Sequence, residues 1–244
     1  MDNPGKSKAL IQDNYGCVID RIDRAARAAG RQPSDIHLVV VSKTQPVEVL
    51  QWVIEAGAIH LGENYVEEAI PKIQAFAHNQ SIRWHMIGHV QSRKAASVCE
   101  YFHYVHSIDS LKLAERLNRC AIGMNKTIPA WLEFNTSREA TKSGWDITLH
   151  KNWEQILPEV EKIISLPGLQ VWGLMTMPPY SQNPESSRPY FQLLKGFQQH
   201  IIEQLHLSDF LELSMGMSGD FEVAIQEGAT WIRVGQAILG QRPG

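Results

Sequence analysis

His37-Leu38-Val39-Val40-Val41-Ser42-Lys43-Thr44-Gln45-Pro46 decides how the rest of the chain is read. An unbroken apolar, β-branched run is what a parallel strand covered on both faces looks like, so His37–Ser42 reads as a strand. Lys43 follows at its carboxyl end, and Pro46 suits the opening of a helix over Val47–Ala56. A strand turning quickly into a helix is the start of a βαβ unit.

The same alternation continues outward. Further strands are expected over Ala58–Gly62, Arg83–Gly88, Tyr104–Ile108, Ala130–Asn135, Gln170–Thr176, Phe210–Ser214 and Trp231–Gly235. Helices lie between them, among them Leu111–Ala121 after Asp109-Ser110 and Phe221–Glu227 after Ser218-Gly219-Asp220. Alternating strands and helices imply right-handed crossovers and a parallel sheet. Eight strands in 244 residues point to a single (β/α)₈ TIM barrel over residues 1–244, with a doubly wound open sheet as the alternative. Ahead of the first strand an extra helix is expected over Ala9–Ala29. Its apolar stripe would be Leu10, Ile11, Tyr15, Val18, Ile19 and Ile22, and Gly30 would end it. Pro178–Pro189 reads as a loop on the face where barrels build their sites, either a lid or a plain crossover.

A formal net charge of −3 gives no footprint for nucleic acid or an anionic membrane, and no apolar run is long enough to span one. The first residues lack the apolar core of a signal peptide. Cys17, Cys99 and Cys120 are odd in number and lack a C-x-x-C pair, which fits packed free thiols in a reducing cytoplasm. His85 and His89 are four apart but fall on a strand and its loop, so they do not form a helical zinc pair. Glu63, Glu67 and Glu68 read as a solvated helix face with one carboxylate turned inward. The seven tryptophans read as packing.

The chemistry begins with Lys43. At the carboxyl end of a barrel strand it stands where catalytic groups gather, and partial burial would free its amine to attack an aldehyde. The alternative is a lysine snorkelling into solvent. Two turns opening onto helix N-termini, Leu213–Asp220 and Arg233–Gly240, follow the seventh and eighth strands, where barrels commonly seat a phosphate. An amine on the first strand beside such a cradle describes a site for pyridoxal 5′-phosphate (PLP). Arg233, pointing inward, would face the pyridine nitrogen and keep it unprotonated, unless it serves only a structural ion pair.

Several stretches carry a family resemblance: Val41-Ser42-Lys43-Thr44, Gly62-Glu63-Asn64-Tyr65-Val66-Glu67-Glu68, Arg83-Trp84-His85-Met86-Ile87-Gly88-His89-Val90-Gln91, His106-Ser107-Ile108-Asp109-Ser110, Lys142-Ser143-Gly144, Gly173-Leu174-Met175-Thr176-Met177-Pro178, Ser214-Met215-Gly216-Met217-Ser218-Gly219-Asp220 and Arg233-Val234-Gly235. On these the chain resembles the pyridoxal phosphate homeostasis proteins, which are similar to the N-terminal barrel of alanine racemase. The resemblance implies a Schiff base on Lys43 and a phosphate held by Ser214, Ser218 and the Gly235 region, with Met217 and Gln236 on the same two turns. It also implies Asn64 and His85 beside the cofactor and Arg233 at the ring nitrogen. Gln236 departs from the family's usual Thr, which bears on phosphate affinity, and Arg93 stands where Asn is common.

The expected function is therefore to hold PLP and buffer or deliver it, with apo forms of PLP-dependent enzymes as recipients and a monomer as the state. Little turnover is expected, because racemisation needs two opposed proton donors. The alternatives are an amino-acid racemase or lyase that pairs Lys43 with Tyr65, Tyr180 or a histidine, and a barrel scaffold that no longer binds PLP.

Overall fold

A computed structural model describes residues 7–139 and 141–240. In chain order the elements are α1 (Lys8–Ala28), β1 (His37–Val41), α2 (Val47–Glu55), β2 (His60–Glu63), α3 (Val66–Ala75), β3 (Arg83–Met86), α4 (Ala95–Tyr101), β4 (Tyr104–Ile108), α5 (Leu111–Gly123) and β5 (Ile128–Asn135). They continue with β6 (Trp145–Asp146), α6 (His150–Ile164), β7 (Leu169–Met175), α7 (Arg188–Leu205), β8 (Glu212–Ser214), α8 (Phe221–Gln226), β9 (Trp231–Val234) and α9 (Gln236–Leu239).

The strands are parallel and follow the order β4-β3-β2-β1-β9-β8-β7-β5, and a β4–β5 pairing closes the ring. The closed (β/α)₈ barrel is the expected fold. One strand was not foreseen: β6, of two residues, pairs with Phe134 and Asn135 at the end of β5. Two residues carry too little periodicity to be read from sequence.

Side-chain parity sorts the residues of each strand. Val40 joins the main apolar layer between barrel and helices, whereas Val39 packs inside with Trp131, Met175 and Trp231. The barrel is therefore filled by a small aromatic interior that is separate from the larger outer core. Gly62 belongs to that interior: a Cβ there would meet Val39 Cγ1 at 2.8 Å.

Helix α1 is capped by Ser7, whose Oγ accepts from Leu10 N, and Gly30 closes it at φ 68°. Its buried stripe is Ile11, Val18, Ile22, Ala25 and Ala26; Leu10 and Ile19, expected inside, are exposed. The stripe packs on α2, α8 and α9. Because α9 has only four residues, the outer face of β9 and β1 lacks a full covering helix, and α1 fills that gap. Arg21 to Glu222 and Asn14 to the Ile238 carbonyl tie it down. The expected loop Pro178–Pro189 is shorter than read. Pro184–Ser187 form a 3₁₀ turn, and Arg188 and Pro189 open α7, proline being at ease in a first turn. Cys99 is packed as expected, but Cys17 is exposed on α1.

Candidate functional site

On β1 the inward parity of Val39 continues through Val41 to Lys43, which carries the lysine to the carboxyl end of the barrel. There a cavity of about 620 Å³ is bounded by Val41, Lys43, Met217, Ser218, Gly235 and Gln236, with Tyr180 at its edge. Five of the nine residues singled out from sequence thus meet in one cleft.

The backbone behind Lys43 is held firmly. Thr44 adopts φ 63°, costly for a β-branched residue, and its N–H donates to Oε1 of Glu68. Lys72, buried on α3, directs its three ammonium protons to the Ser42 carbonyl (2.9 Å), Glu63 (2.8 Å) and Glu68 (2.7 Å). Ser42 Oγ donates to the same oxygen of Glu63 at 2.7 Å. Burial pushes the Glu63 carboxyl upward, and Lys72 and Ser42 pull it back. The inward carboxylate of the acidic trio is therefore Glu63, at a strand end. Glu67 is exposed and pairs with Lys94, so the trio is not one helix face.

The two glycine turns come together across β8 and β9. Ser218 Oγ accepts from the N–H groups of Gly235 and Ala237, both at 3.3 Å, where α9 begins. Asp220 fixes the other turn, accepting from Met217 N at 2.7 Å and from Ser187 Oγ at 2.7 Å. Gly216 is at φ 95°, and a Cβ there would lie 2.6 Å from that of Ala224. Gln236 is exposed at the cleft.

Arg233 lies on β9 beside Val39, two residues before Gly235 of the cleft, and is only 3% exposed. Its guanidinium donates to Ser214 Oγ (2.5 Å) and to the Thr176 carbonyl (2.9 Å). Burial lowers it to about 10, with Glu133 and Asp220 opposing, so it stays cationic at neutral pH. Ser214 is therefore turned inward and committed to Arg233 and His106, not to the two glycine turns. His85 is fully buried and lies in the barrel interior, hydrogen-bonded to His60 and His106. Asn64 follows β2, where its backbone packs on Gly88; it is not among the residues bounding the cleft, though the pairing of Val41 with Gly62 sets it beside Lys43. Tyr65, at the start of α3, is exposed and is likewise not among them. His89 is exposed and pairs with Asp109, and Arg93 turns back to Gln91.

Sequence reading missed Glu133. Burial raises its carboxyl to about 7, with Asp109 adding and Arg233 and Lys142 opposing. The signal was present: a lone acid between Leu132 and Phe134 in an apolar strand, at the same parity as Trp131.

The family profile described as alanine racemase, N-terminal domain, matches residues 17–243. A pyridoxal phosphate homeostasis protein of Vibrio alginolyticus is 39% identical over 235 residues, covering 95% of this chain and 97% of the relative. One of Escherichia coli K12 is 35% identical, again over 235 residues, with the same coverage. Among solved structures, PipY of Synechococcus elongatus with PLP bound is 33% identical with a TM-score of 0.77, covering 90% of this chain and all of PipY. An alanine racemase of Clostridium difficile shares the fold at 15% identity and TM-score 0.69. The chain belongs to the pyridoxal phosphate homeostasis proteins, within the family of the alanine racemase N-terminal domain.

Proposed function

We propose that this chain, acting as a single domain over residues 1–244, binds PLP through Lys43 and holds it for buffering or delivery. The observation that carries the reading is the meeting, in one cleft, of the Lys43 amine with the turn in which Ser218 gathers the N–H groups of Gly235 and Ala237. The residues fit the group. PLP supplies an aldehyde that an amine captures reversibly and a phosphate that backbone N–H groups can bind. Lys43 is the attachment point. Ser218, Gly235 and Gln236 lie where a phosphate would be seated, with Met217 on the adjoining turn. Arg233 stands on the floor as a fixed cation. Ser214 and His85 serve beneath that floor, and Asn64 flanks the strand next to Lys43.

Holding rather than turnover is supported by what faces Lys43. Proton exchange on both faces of a substrate carbon needs a second, fixed donor. Tyr180 borders the cleft but is 85% exposed, so its hydroxyl is not held in place. A monomer in the cytoplasm that delivers PLP to apoenzymes completes the proposal. No helix among the described residues is long and apolar enough to cross a membrane.

The test is borohydride trapping with PLP, followed by peptide mass mapping. A phosphopyridoxyl adduct on Lys43, lost in Lys43→Ala, is expected. No adduct at saturating PLP overturns the binding reading and leaves a scaffold. Steady deuterium exchange at the α-carbon of amino acids overturns the carrier reading in favour of a racemase or lyase.

A further inference from the structure

Beneath the cleft a file of polar side chains crosses an otherwise aromatic interior. Arg233 donates to Ser214 Oγ at 2.5 Å. Ser214 Oγ lies 2.8 Å from His106 Nδ1, His106 Nε2 lies 2.8 Å from His85 Nδ1, and His85 Nε2 lies 2.9 Å from His60 Nδ1. His60 opens β2, so the file reaches the end of the barrel opposite Lys43. Trp131 stacks on His106 with centroids 4.0 Å apart and Tyr104 stacks on His85 at 4.4 Å; both histidines are fully buried, and His60 at the outer end is half-buried.

One proton sets its direction. A guanidinium can only donate, so Ser214 accepts from Arg233. Ser214 is fully buried, and its own proton needs an acceptor; His106 Nδ1 is the one in reach. His106 then carries its hydrogen on Nε2 and donates to His85, which donates from Nε2 to His60. The reverse direction would strand the serine proton in the interior. Burial holds all three imidazoles neutral. Their dipoles therefore align with acceptor ends toward Arg233, which has no carboxylate in contact among the described residues, Glu133 and Asp220 acting on it from farther off.

We propose that His106, His85 and His60 are positioning residues that take the place of a carboxylate in contact with Arg233, fixing its guanidinium as a charged donor beneath the cleft. A carboxylate would satisfy the arginine more strongly but would also cancel its charge. A line of neutral dipoles orients it and leaves the charge in place. Because the line is directional, a change at His60 reaches the site from the far end of the barrel. This deepens the PLP reading and rests on it for its second test only.

The first test needs no cofactor. Long-range ¹H–¹⁵N spectra of histidine-labelled protein are expected to show His60, His85 and His106 neutral with the proton on Nε2; protons on Nδ1 overturn the proposal. The second compares His60→Leu, which removes the acceptor, with His60→Gln, which keeps one. Loss of one buried hydrogen-bond partner predicts PLP binding weakened about fivefold in H60L, with a shifted absorption band, and both restored in H60Q. Ser214→Ala, a smaller change should H60L fail to fold, is expected to show a similar loss. Unchanged affinity and band in both variants overturn the coupling. Failure of the unmodified protein to take up PLP overturns the cofactor reading instead and leaves the tautomer result to decide the line.

Discussion

Lys72 Nζ lies 2.8 Å from Glu63 Oε1 and 2.9 Å from the carbonyl of Ser42, so a buried ion pair on α3 and β2 supports the peptide immediately before Lys43. Breaking such a pair from one side strands a charge. Lys72→Met is expected to cost about 3–5 kcal/mol in urea unfolding. Adding Glu63→Gln should recover a large part of that loss. If the double variant is no more stable than the single one, the pair is not the source of the effect.

Gln236 is exposed where α9 opens, beside two N–H groups already gathered by Ser218. Threonine brings a hydroxyl close to the backbone without folding a long amide back. Gln236→Thr is expected to gain one hydrogen bond to phosphate, roughly 1 kcal/mol or about fivefold tighter PLP binding in equilibrium dialysis. Unchanged affinity would place the phosphate elsewhere.

Gly216 combines a left-handed backbone with a Cβ position 2.6 Å from Ala224 Cβ and 3.0 Å from Phe221 Cα. Gly216→Ala must strain the turn and displace α8. A destabilisation of about 2–4 kcal/mol is expected by thermal unfolding. Gly219→Ala, with nothing within 4 Å, is the matched control and should be close to neutral.

Two sets of buried groups give the stability opposite slopes with pH. Burial lowers His60 to about 4 and holds His85 and His106 well below their usual value. Protons then favour the unfolded chain, and stability falls as pH drops below about 6.5. Glu133 is raised to about 7, so its protonated form favours the folded chain. Its contribution is complete below about 4.5 and is lost as pH rises through 7. Glu133→Gln should therefore raise the melting temperature at pH 8 and leave it nearly unchanged at pH 5. An equal shift at both pH values would show that Glu133 does not titrate there.

How much of this was legible depended on whether the signal was local. The run Val39-Val40-Val41 announced β1 and placed Lys43 at its end, and the turns around Ser218 and Gly235 announced themselves by glycine. The family resemblance assigned Ser214 to phosphate, but parity turns its side chain inward to Arg233 and His106. That pairing joins residues 108 positions apart, and no spacing rule reports it. The histidine line is hidden for the same reason, since each of its members belongs to a different strand. The exposure of Leu10 and Ile19 was equally unreadable, because the width of the stripe on α1 is set by the helices it meets.

The placement of α1 has a consequence for synthesis. Only α2 among its helical partners is near in sequence; the others lie far along the polypeptide, Arg21 meeting Glu222 across 201 positions and Asn14 meeting Ile238 across 224. On a ribosome adding roughly 5–20 residues per second, the first helix emerges ten seconds or more before the surface it covers exists. Until then the part of its stripe that α2 does not cover is a sticky face available to a chaperone, and the barrel closes only once β9 has emerged.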